Sequence, residues 1–270
     1  RQVWQILYAE LGALQDDNRD EAINILLRRA VELAKFANLE CMIRETLSEL
    51  AQLDYKDRIL ATVVKILHYS CEHLSRQAVN SWKELRDELT GSDFSSLMRR
   101  YVGMSLLEDE FDEDCAHRGL VQRQVEILAQ QAITNNDLLF NEIDWLVLDK
   151  AVNGYQFGYE LGKIDRDFQL LPQLMEAQHN ACKEEHPDVR FVSGYLRVVF
   201  EKDKNKWEHH LNSLVADKDL NAFIPELTCC SGMSDMAALR VIDLIESGIS
   251  DVKNLRMFCY GNVIRGISRT

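Results

Sequence analysis

Four residues of one short segment could bind a metal ion: Glu176, His179, Cys182 and His186. On a helix, His179, Cys182 and His186 stand at positions i, i+3 and i+7, so their side chains lie on one side. Seven residues correspond to about 10 Å of helix rise, which is too long for one ion to reach all three. A pair such as Cys182 and His186 could still supply two ligands if the others came from elsewhere in the chain. An all-α metal protein or metal-dependent enzyme that uses Glu176, His179, Cys182 and His186 is therefore kept as an alternative interpretation.

Two acidic-x-x-His pairs resemble the ligand pairs of di-metal carboxylate bundles, which take Glu-x-x-His from each of two helices. Glu176 precedes His179 at this spacing, and Asp114 precedes His117. With 7 His and 44 acidic residues in the chain, chance alone explains two matches. The acidic run at residues 108–114 lacks the central glycine of a calcium loop and is typical of a solvated loop between helices.

The adjacent cysteines Cys229 and Cys230 raise the question of a metal or redox site. Neighbouring side chains point in different directions, and no second Cys or His pair stands at zinc-like spacing from them. Pro225 suits the first turn of a short helix here, and Gly232 suits its end. The sequence therefore predicts that the two thiols pack as small apolar groups.

Other catalytic patterns are absent from the sequence. The segment "GYELGKI" at residues 158–164 contains Gly-Lys, but its loop is too short for a phosphate loop and Ile164 replaces Ser or Thr. Neither G-x-S-x-G nor H-E-x-x-H occurs. We assign no catalytic, cofactor-binding or metal-binding residue and no cofactor, and we expect the chain itself not to be an enzyme.

Composition narrows the class of protein. The chain has 270 residues, of which 46% are hydrophobic and 28% charged, an ordinary globular balance. Its net charge of −13 argues against a nucleic-acid surface, and no apolar run approaches the length of about 18 residues that spans a bilayer. Seven scattered cysteines suit reduced thiols, so we expect a cytoplasmic protein.

The elements that would position these residues are helices. The chain has only 3 Pro and 12 Gly, and apolar spacings of three and four recur throughout, which predicts an all-α fold. One apolar stripe belongs to residues 21–37: Ile23, Leu26, Leu27, Ala30, Val31 and Ala34. Residues 57–89 are expected to form one long helix or two with a kink, ended by Gly91.

Capping residues predict where further helices begin. Ser92 or Asp93 would open a helix that runs to about residue 107, and Asn136 or Asp137 would open the next. Asp188 and Ser234 precede two more, at residues 189–201 and 235–247. Gly248 follows the second of these.

An internal repeat is visible in the C-terminal half. Gly154–Tyr155 matches Gly194–Tyr195 at an offset of 40, and Phe168 matches Trp207 after a charged turn. Helical-hairpin solenoids have periods of about 34 to 47 residues. We therefore predict a degenerate α-solenoid of tetratricopeptide- or HEAT-like hairpins in one continuous domain, residues 1–270, with a soft boundary near 108–118. A compact irregular helical bundle is the alternative.

Three elements of the C-terminal part carry a family resemblance: "SGYLR" at 193–197, "W-x3-L" at 207–211 and "IPELTCCSGMSDMAA" at 224–238. Residues 191–264 resemble the C-terminal sensor region of bacterial antiviral STAND-type ATPases and similarly built defence proteins. In such families a tetratricopeptide-like array binds a foreign protein, and binding promotes oligomerisation. The resemblance implies a ligand-sensing role, and any ATPase would lie outside this chain, which has no Walker motif.

We therefore expect protein recognition rather than catalysis. The partner would be another protein, viral or from the same defence complex, and the acidic balance favours one with basic patches. We expect neither a nucleic-acid nor a membrane partner. The opening "RQVWQILYAELGAL" is typical of mid-helix sequence, so we expect a fragment of a longer protein. A spacer between functional domains is a further alternative.

Overall fold

The computed structural model describes residues 2–14, 16–53, 55–104, 119–184, 186–259, 263 and 267–268. Over these residues the predicted all-α fold is confirmed, because they contain helices and no β-strand, apart from an isolated bridge between Leu148 and Pro187. Within the same ranges, no helix is both long and apolar enough to cross a bilayer. The predicted soft boundary at 108–118 lies outside the described residues.

The chain divides into two compact units. Unit 1 comprises residues 1–100 and 106–121, and unit 2 comprises residues 101–105 and 122–270. The first six helices are α1 (Gln2–Glu10), α2 (Asp16–Leu33), α3 (Ala37–Ala51), α4 (Lys56–Ser70), α5 (Arg76–Thr90) and α6 (Phe94–Tyr101). The next nine described helices are α7 (Leu120–Thr134), α8 (Asn136–Phe140), α9 (Ile143–Leu146), α10 (Gly154–Ile164), α11 (Leu171–Ala181), α12 (Arg190–Lys202), α13 (Lys204–Ser213), α14 (Ile224–Ser231) and α15 (Asp235–Glu246).

Alternate helices of unit 1 pack side by side. The helix α4 contacts α2, α3 and α5, and α3 also contacts α5. Hydrogen bonds join α1 to α3: Trp4 Nε1 donates to Thr46 Oγ1 (3.1 Å), and Tyr8 Oη donates to Glu49 Oε2 (2.7 Å). The predicted stripe of α2 is buried at Ile23, Leu26, Leu27, Ala30 and Ala34, while Val31 is half-buried.

The segment at 57–89 forms two helices and not one long helix, which were the two predicted alternatives. A 3-10 turn at 71–73 ends α4, and α5 begins after Ser75, whose Oγ accepts a hydrogen bond from the backbone N–H of Ala78. Serine at this position satisfies an amide that the first helical turn leaves unpaired. The predicted end is confirmed, because Gly91 follows α5 with φ of 76°.

Two of the predicted caps are confirmed, and the third lies one residue outside its helix. The carboxylate of Asp93 accepts from the backbone N–H of Ser96 (2.9 Å). Asp188 precedes Val189, the N-cap residue of α12, and accepts from the backbone N–H of Arg190 (2.8 Å). The Oγ of Ser234 accepts from the N–H of Ala237 (3.0 Å).

Two predicted helices have different bounds. α6 ends at Tyr101, well before residue 107, which lies outside the described residues. The helix expected from Asn136 or Asp137 is broken into α8 and α9, and Asn135 caps the first of them. Apolar spacing continues across such breaks, so it does not reveal them.

The tightest contact in unit 2 is between α10 and α12, where glycines allow the two backbones to touch. A Cβ built on Gly158 would lie 2.0 Å from the carbonyl oxygen of Phe191, and one built on Gly194 would lie 1.9 Å from that of Tyr155. Both separations are far below van der Waals contact, so no other residue fits without moving a helix. The expectation that small glycines let neighbouring helices approach is met at this pair.

The helix α12 also packs against α13 and α14, so it is the centre of unit 2. The rings of Phe200 and Trp207 meet edge to face at 4.9 Å, and Trp207 Nε1 donates to Ser231 Oγ (2.8 Å). Gly232 ends α14 as predicted, but with an extended φ of 168° rather than a left-handed one. The reason for glycine here is the Phe200 ring, which would lie 2.4 Å from a Cβ.

Alanine in place of Gly194 is expected to destabilise the protein by about 3 kcal/mol or more, because its Cβ would collide with backbone rather than with a movable side chain. Urea unfolding followed by far-ultraviolet circular dichroism measures this. Gly12→Ala is the matched control, since nothing lies within 4 Å of a Cβ at that position. Equal unfolding midpoints for the two variants would contradict the α10–α12 backbone contact.

Candidate functional site

The structure separates the four residues of the predicted metal segment. Glu176 and His186 are exposed, whereas His179 and Cys182 are half-buried. His186 has a positive φ of 63° and lies after the end of α11. The four do not form a group of converging ligands among the described residues. Asp114, His117 and the acidic run at 108–114 lie outside the described residues.

One cluster of possible ligands is present in the described part of the chain, and it contains His179. The ligand atoms of His179, Asp217 and Asp219 all lie within 4.8 Å of one another. Nδ1 of His179 is 3.0 Å from Asp217 Oδ2, and Nε2 is 3.3 Å from Asp219 Oδ2. Both ring nitrogens therefore face a carboxylate. We call these three residues the His179 cluster.

Asp217 is held by the turn that follows α13. Its Oδ1 accepts hydrogen bonds from the backbone N–H groups of Asp219 (2.9 Å) and Leu220 (3.1 Å). Burial raises the pKa of Asp217, but these two bonds and the contact with His179 outweigh burial, so its pKa lies below the ordinary value. The carboxylate is therefore ionised and fixed in direction.

Cys182 borders the His179 cluster from the end of α11. Its Sγ donates to the carbonyl oxygen of Gln178 (3.3 Å). Burial raises the pKa of the Cys182 thiol, and the negative charges of Asp219 and Asp217 raise it further. The thiol is therefore protonated and unreactive unless a positive charge binds beside it.

Sequence reasoning found His179 and Cys182 but missed Asp217 and Asp219. Local spacing could not connect them, because Asp217 lies 38 residues after His179. The available signal was the predicted repeat offset of 40, which is close to this separation of 38 residues.

Cys229 and Cys230 lie at the end of α14, which begins with Ile224 and Pro225 as expected for a first-turn proline. Both are half-buried free thiols. A contact between the two thiols lowers the pKa of Cys229 and raises that of Cys230, which burial raises further. Tyr155 Oη donates to the carbonyl oxygen of Cys230 (3.2 Å), so the pair lies against α10. The packing role predicted for them stays a prediction.

A second candidate site is the outer face of α15, which the sequence did not single out. Met236, Leu239 and Ile242 are 63%, 58% and 44% exposed, although Ala237, Val241 and Leu244 bury the opposite face. The apolar residues at i, i+3 and i+6 were the signal for a second stripe. We call Met236, Leu239 and Ile242 the α15 outer face.

A groove of about 320 Å³ lies beside the α15 outer face. Its lining is mostly apolar and includes Val215, Met236, Leu239 and Ile249, with one acidic group, Asp243, and one basic group, Arg240. Val252 and Leu255, in the following 3-10 segment, are also exposed apolar residues. Exposed apolar groups beside a groove, such as Met236 and Leu239, are typical of an interaction surface.

The glutamate Glu208 fixes α15 against α13. Its Oε2 accepts a 2.6 Å hydrogen bond from Nη2 of the buried Arg240, and its Oε1 accepts from Ser234 Oγ. Ser234 is also the N-cap of α15. One carboxylate thus holds both the start and the middle of the helix.

No protein-family model, no curated protein and no solved structure matches this chain. The packing of its helices, the His179 cluster and the α15 outer face are therefore the observations from which a function can be inferred.

Asp217→Asn is expected to lower the free energy of unfolding near neutral pH. The folded pKa of Asp217 is depressed, so its contribution is present above the pKa of the unfolded chain and is lost as pH falls through the folded pKa. The difference from the unsubstituted protein should therefore shrink toward about pH 3. The other titratable groups near Asp217 are His179, Cys182 and Asp219, and they are the same in the variant and in the unsubstituted protein.

Urea unfolding at about pH 5 and about pH 3 measures the effect. Glu176→Gln, at an exposed acid of α11 outside the cluster, is the control and should change stability little. A deficit in Asp217→Asn that grows on acidification would show that the carboxylate is not held in its ionised form.

Proposed function

We propose that this chain is a helical-repeat domain of tetratricopeptide- or HEAT-like hairpins that recognises another protein. Its function would be carried by surface complementarity and not by catalysis. The observation on which the recognition proposal depends is the α15 outer face, an exposed apolar surface beside a groove.

The spacing of long-range side-chain hydrogen bonds supports the repeat. In a solenoid each hairpin contacts its neighbours, so contacts recur at one period of the sequence. In unit 1 the separations are 42 residues for Trp4 and Thr46, and 38 for Arg58 and Asp20. In unit 2 they are 38, 42, 40 and 39 residues for the pairs Gln122–Glu160, Tyr159–Glu201, Lys202–Gly162 and Lys206–Asp167.

The order of packing supports the same proposal. In unit 2, α12 lies against both α10 and α14, and α13 contacts α15. In unit 1, α4 lies against α2, and α5 contacts α3. Packing of alternate helices of this kind is what stacked helical hairpins would produce.

The α15 outer face favours a partner with an apolar anchor flanked by basic residues. Burying a Met, Leu or Ile side chain is favourable by about 1.5–3 kcal/mol, so Met236 and Leu239 can supply affinity. The chain carries a net charge of −13, so a basic rim on the partner would be attracted.

The resemblance to antiviral STAND-type ATPases suggests the biological setting. Residues 224–238, which carry part of that resemblance, form α14 and the start of α15, and Met236 among them belongs to the proposed surface. We propose that the partner is a viral protein or a protein of the same defence complex, and that the setting is cytoplasmic. The six described cysteines are free thiols, which is compatible with a reducing compartment.

The double variant Met236→Glu, Leu239→Glu should lose partner binding while keeping its fold. Two charges in an apolar interface should weaken affinity by about thirtyfold or more, since truncating one hot-spot residue costs about 2 kcal/mol. The 270-residue chain would be used as bait in lysates of infected and uninfected bacterial cells, and the captured protein would then be purified for calorimetric titration.

Ile127→Glu, Val152→Glu is the matched control, because these residues of unit 2 are 48% and 42% exposed and lie outside the α15 outer face. It should bind like the unsubstituted chain, and the affinity of both should fall with added salt. Capture of the same proteins by both double variants, or no specific protein captured at all, would count against the proposal.

A further inference from the structure

A groove on unit 1 has the opposite charge balance to the chain as a whole. It lies between α2 and α4 and has a volume of about 550 Å³. Its lining is mostly apolar, with Leu27, Val31 and Ala61 among its members, and its charged members are three cations and one carboxylate. The whole chain, in contrast, has a net charge of −13. We call this surface the α2–α4 groove.

Two of the four charged groups in the α2–α4 groove are paired inside unit 1. Nη1 of Arg58 lies 2.9 Å from Oδ1 of Asp20, and Oε2 of Glu32 lies 2.5 Å from Nη1 of Arg29. The carboxylate of the lining is therefore already neutralised by a neighbour, and so is one of its three cations.

The sign of the groove is set by its other two charged members, Arg28 and Lys65. Both are exposed cations, one on each of the two helices. A different groove of unit 1, between α3 and α5, shows that this sign is local, because its charged members are four glutamates and one arginine. The α2–α4 groove is thus suited to an apolar surface that carries carboxylates.

The exposed side of α15 is such a surface. Each exposed residue of this helix is either apolar or acidic, and these residues are Asp235, Met236, Leu239, Ile242, Asp243 and Glu246. The one basic residue of α15, Arg240, is buried and donates to Glu208. Asp235 accepts hydrogen bonds from Ser268, so Asp243 and Glu246 are the carboxylates that we assign to an incoming cation.

The two surfaces also agree in length. Positions i, i+3, i+4 and i+7 of α2, counted from Asn24, line the groove, and so do the same positions of α4, counted from Arg58. Seven residues correspond to about 10 Å of helix rise. The exposed stripe from Met236 to Asp243 has the same rise. An amphipathic helix that lays its apolar face into a groove is a recurrent mode of protein recognition.

We propose that the α15 outer face of one copy of this chain binds the α2–α4 groove of a second copy. The apolar side chains of α15 would pack on the apolar lining of the groove, and Asp243 and Glu246 would meet Arg28 and Lys65. This inference rests on the surface that the proposed function assigns to recognition, and it names a second copy as a protein that binds there.

The long-range repulsion between two acidic copies does not prevent this contact. Each copy has a net charge of −13, but at about 0.15 M salt the interaction of exposed charges is largely screened beyond about 8 Å. The charges that meet in the interface lie within that distance, so their signs decide whether the surfaces attract.

The contact joins two different surfaces, so it is heterologous. An open assembly then leaves one α2–α4 groove and one α15 outer face unoccupied, and further copies add to it unless a ring closes. A contact of one helix with one groove is small, so the association should be weak.

The test is sedimentation equilibrium of the reduced 270-residue chain at about 0.15 M salt, over about 10 to 300 μM protein. The weight-average mass should rise above that of the monomer as the concentration increases. Arg28→Glu and Asp243→Arg should each weaken association by about tenfold or more, because each places like charges opposite one another.

A mixture of the two variants should associate again. The groove of the Asp243→Arg chain and the α15 outer face of the Arg28→Glu chain are both unchanged, so one intact contact forms between them. Both substituted residues are exposed, so circular dichroism should show an unchanged helical fold.

Arg76→Glu and Glu176→Arg are the matched controls, because they make the same changes of charge at exposed residues outside both surfaces. They should associate like the unsubstituted chain. A monomer at every concentration would overturn the inference, and so would two variants that fail to associate when mixed.

These failures are distinguishable from a failure of the proposed function. Arg28→Glu leaves the α15 outer face unchanged, so it should lose self-association and still capture a different protein from the lysate. A chain that stays monomeric but captures such a protein through Met236 and Leu239 would overturn only the contact between copies.

Discussion

The close approach of α10 and α12 is the constraint from which the rest of unit 2 takes its position. Gly158 and Gly194 bring backbone against backbone, and such a contact has no side chain that could adjust to a shift. The opposite side of α12 carries Phe200, whose ring meets Gly232 and Trp207 and so places α14 and α13. The turn that holds Asp217 follows α13, so the geometry of the His179 cluster depends indirectly on these glycines.

Much of the fold could be predicted from the sequence because its signals are local. The stripe that begins at Ile23 and the caps at Asp93 and Ser234 identify their helices without knowledge of the tertiary structure. The break after α4 was harder, because apolar spacing continues across it and only the cap at Ser75 marks it. The break after α8 was harder still, because Glu142, which precedes α9, makes no side-chain cap. Gly232 was correctly predicted to end α14, but the expected reason, a left-handed backbone, was wrong. Glycine is needed there because the Phe200 ring of α12 leaves no room for a Cβ.

The candidate sites were less accessible to sequence reasoning. His179 was identified, but its acidic partner Asp217 lies 38 residues later, in the turn after α13, and Glu176 and His186 of its own segment do not join it. The outer face of α15 was missed for a different reason. Where a helix has apolar residues on two sides, periodicity predicts the helix but does not show which side is buried, and Leu239 is exposed while Val241 is not.

The bond pattern of Glu208 has a consequence for recognition. Because one carboxylate holds Ser234 and Arg240 at the same time, α15 can neither rotate nor slide along α13 without breaking a charged hydrogen bond. The surface that carries Met236 and Leu239 is thus pre-organised before any partner arrives. A rigid surface loses little conformational entropy on association, so more of the contact energy is available for affinity. Selectivity then comes from shape, since a stiff helix cannot adapt to a poorly matched partner.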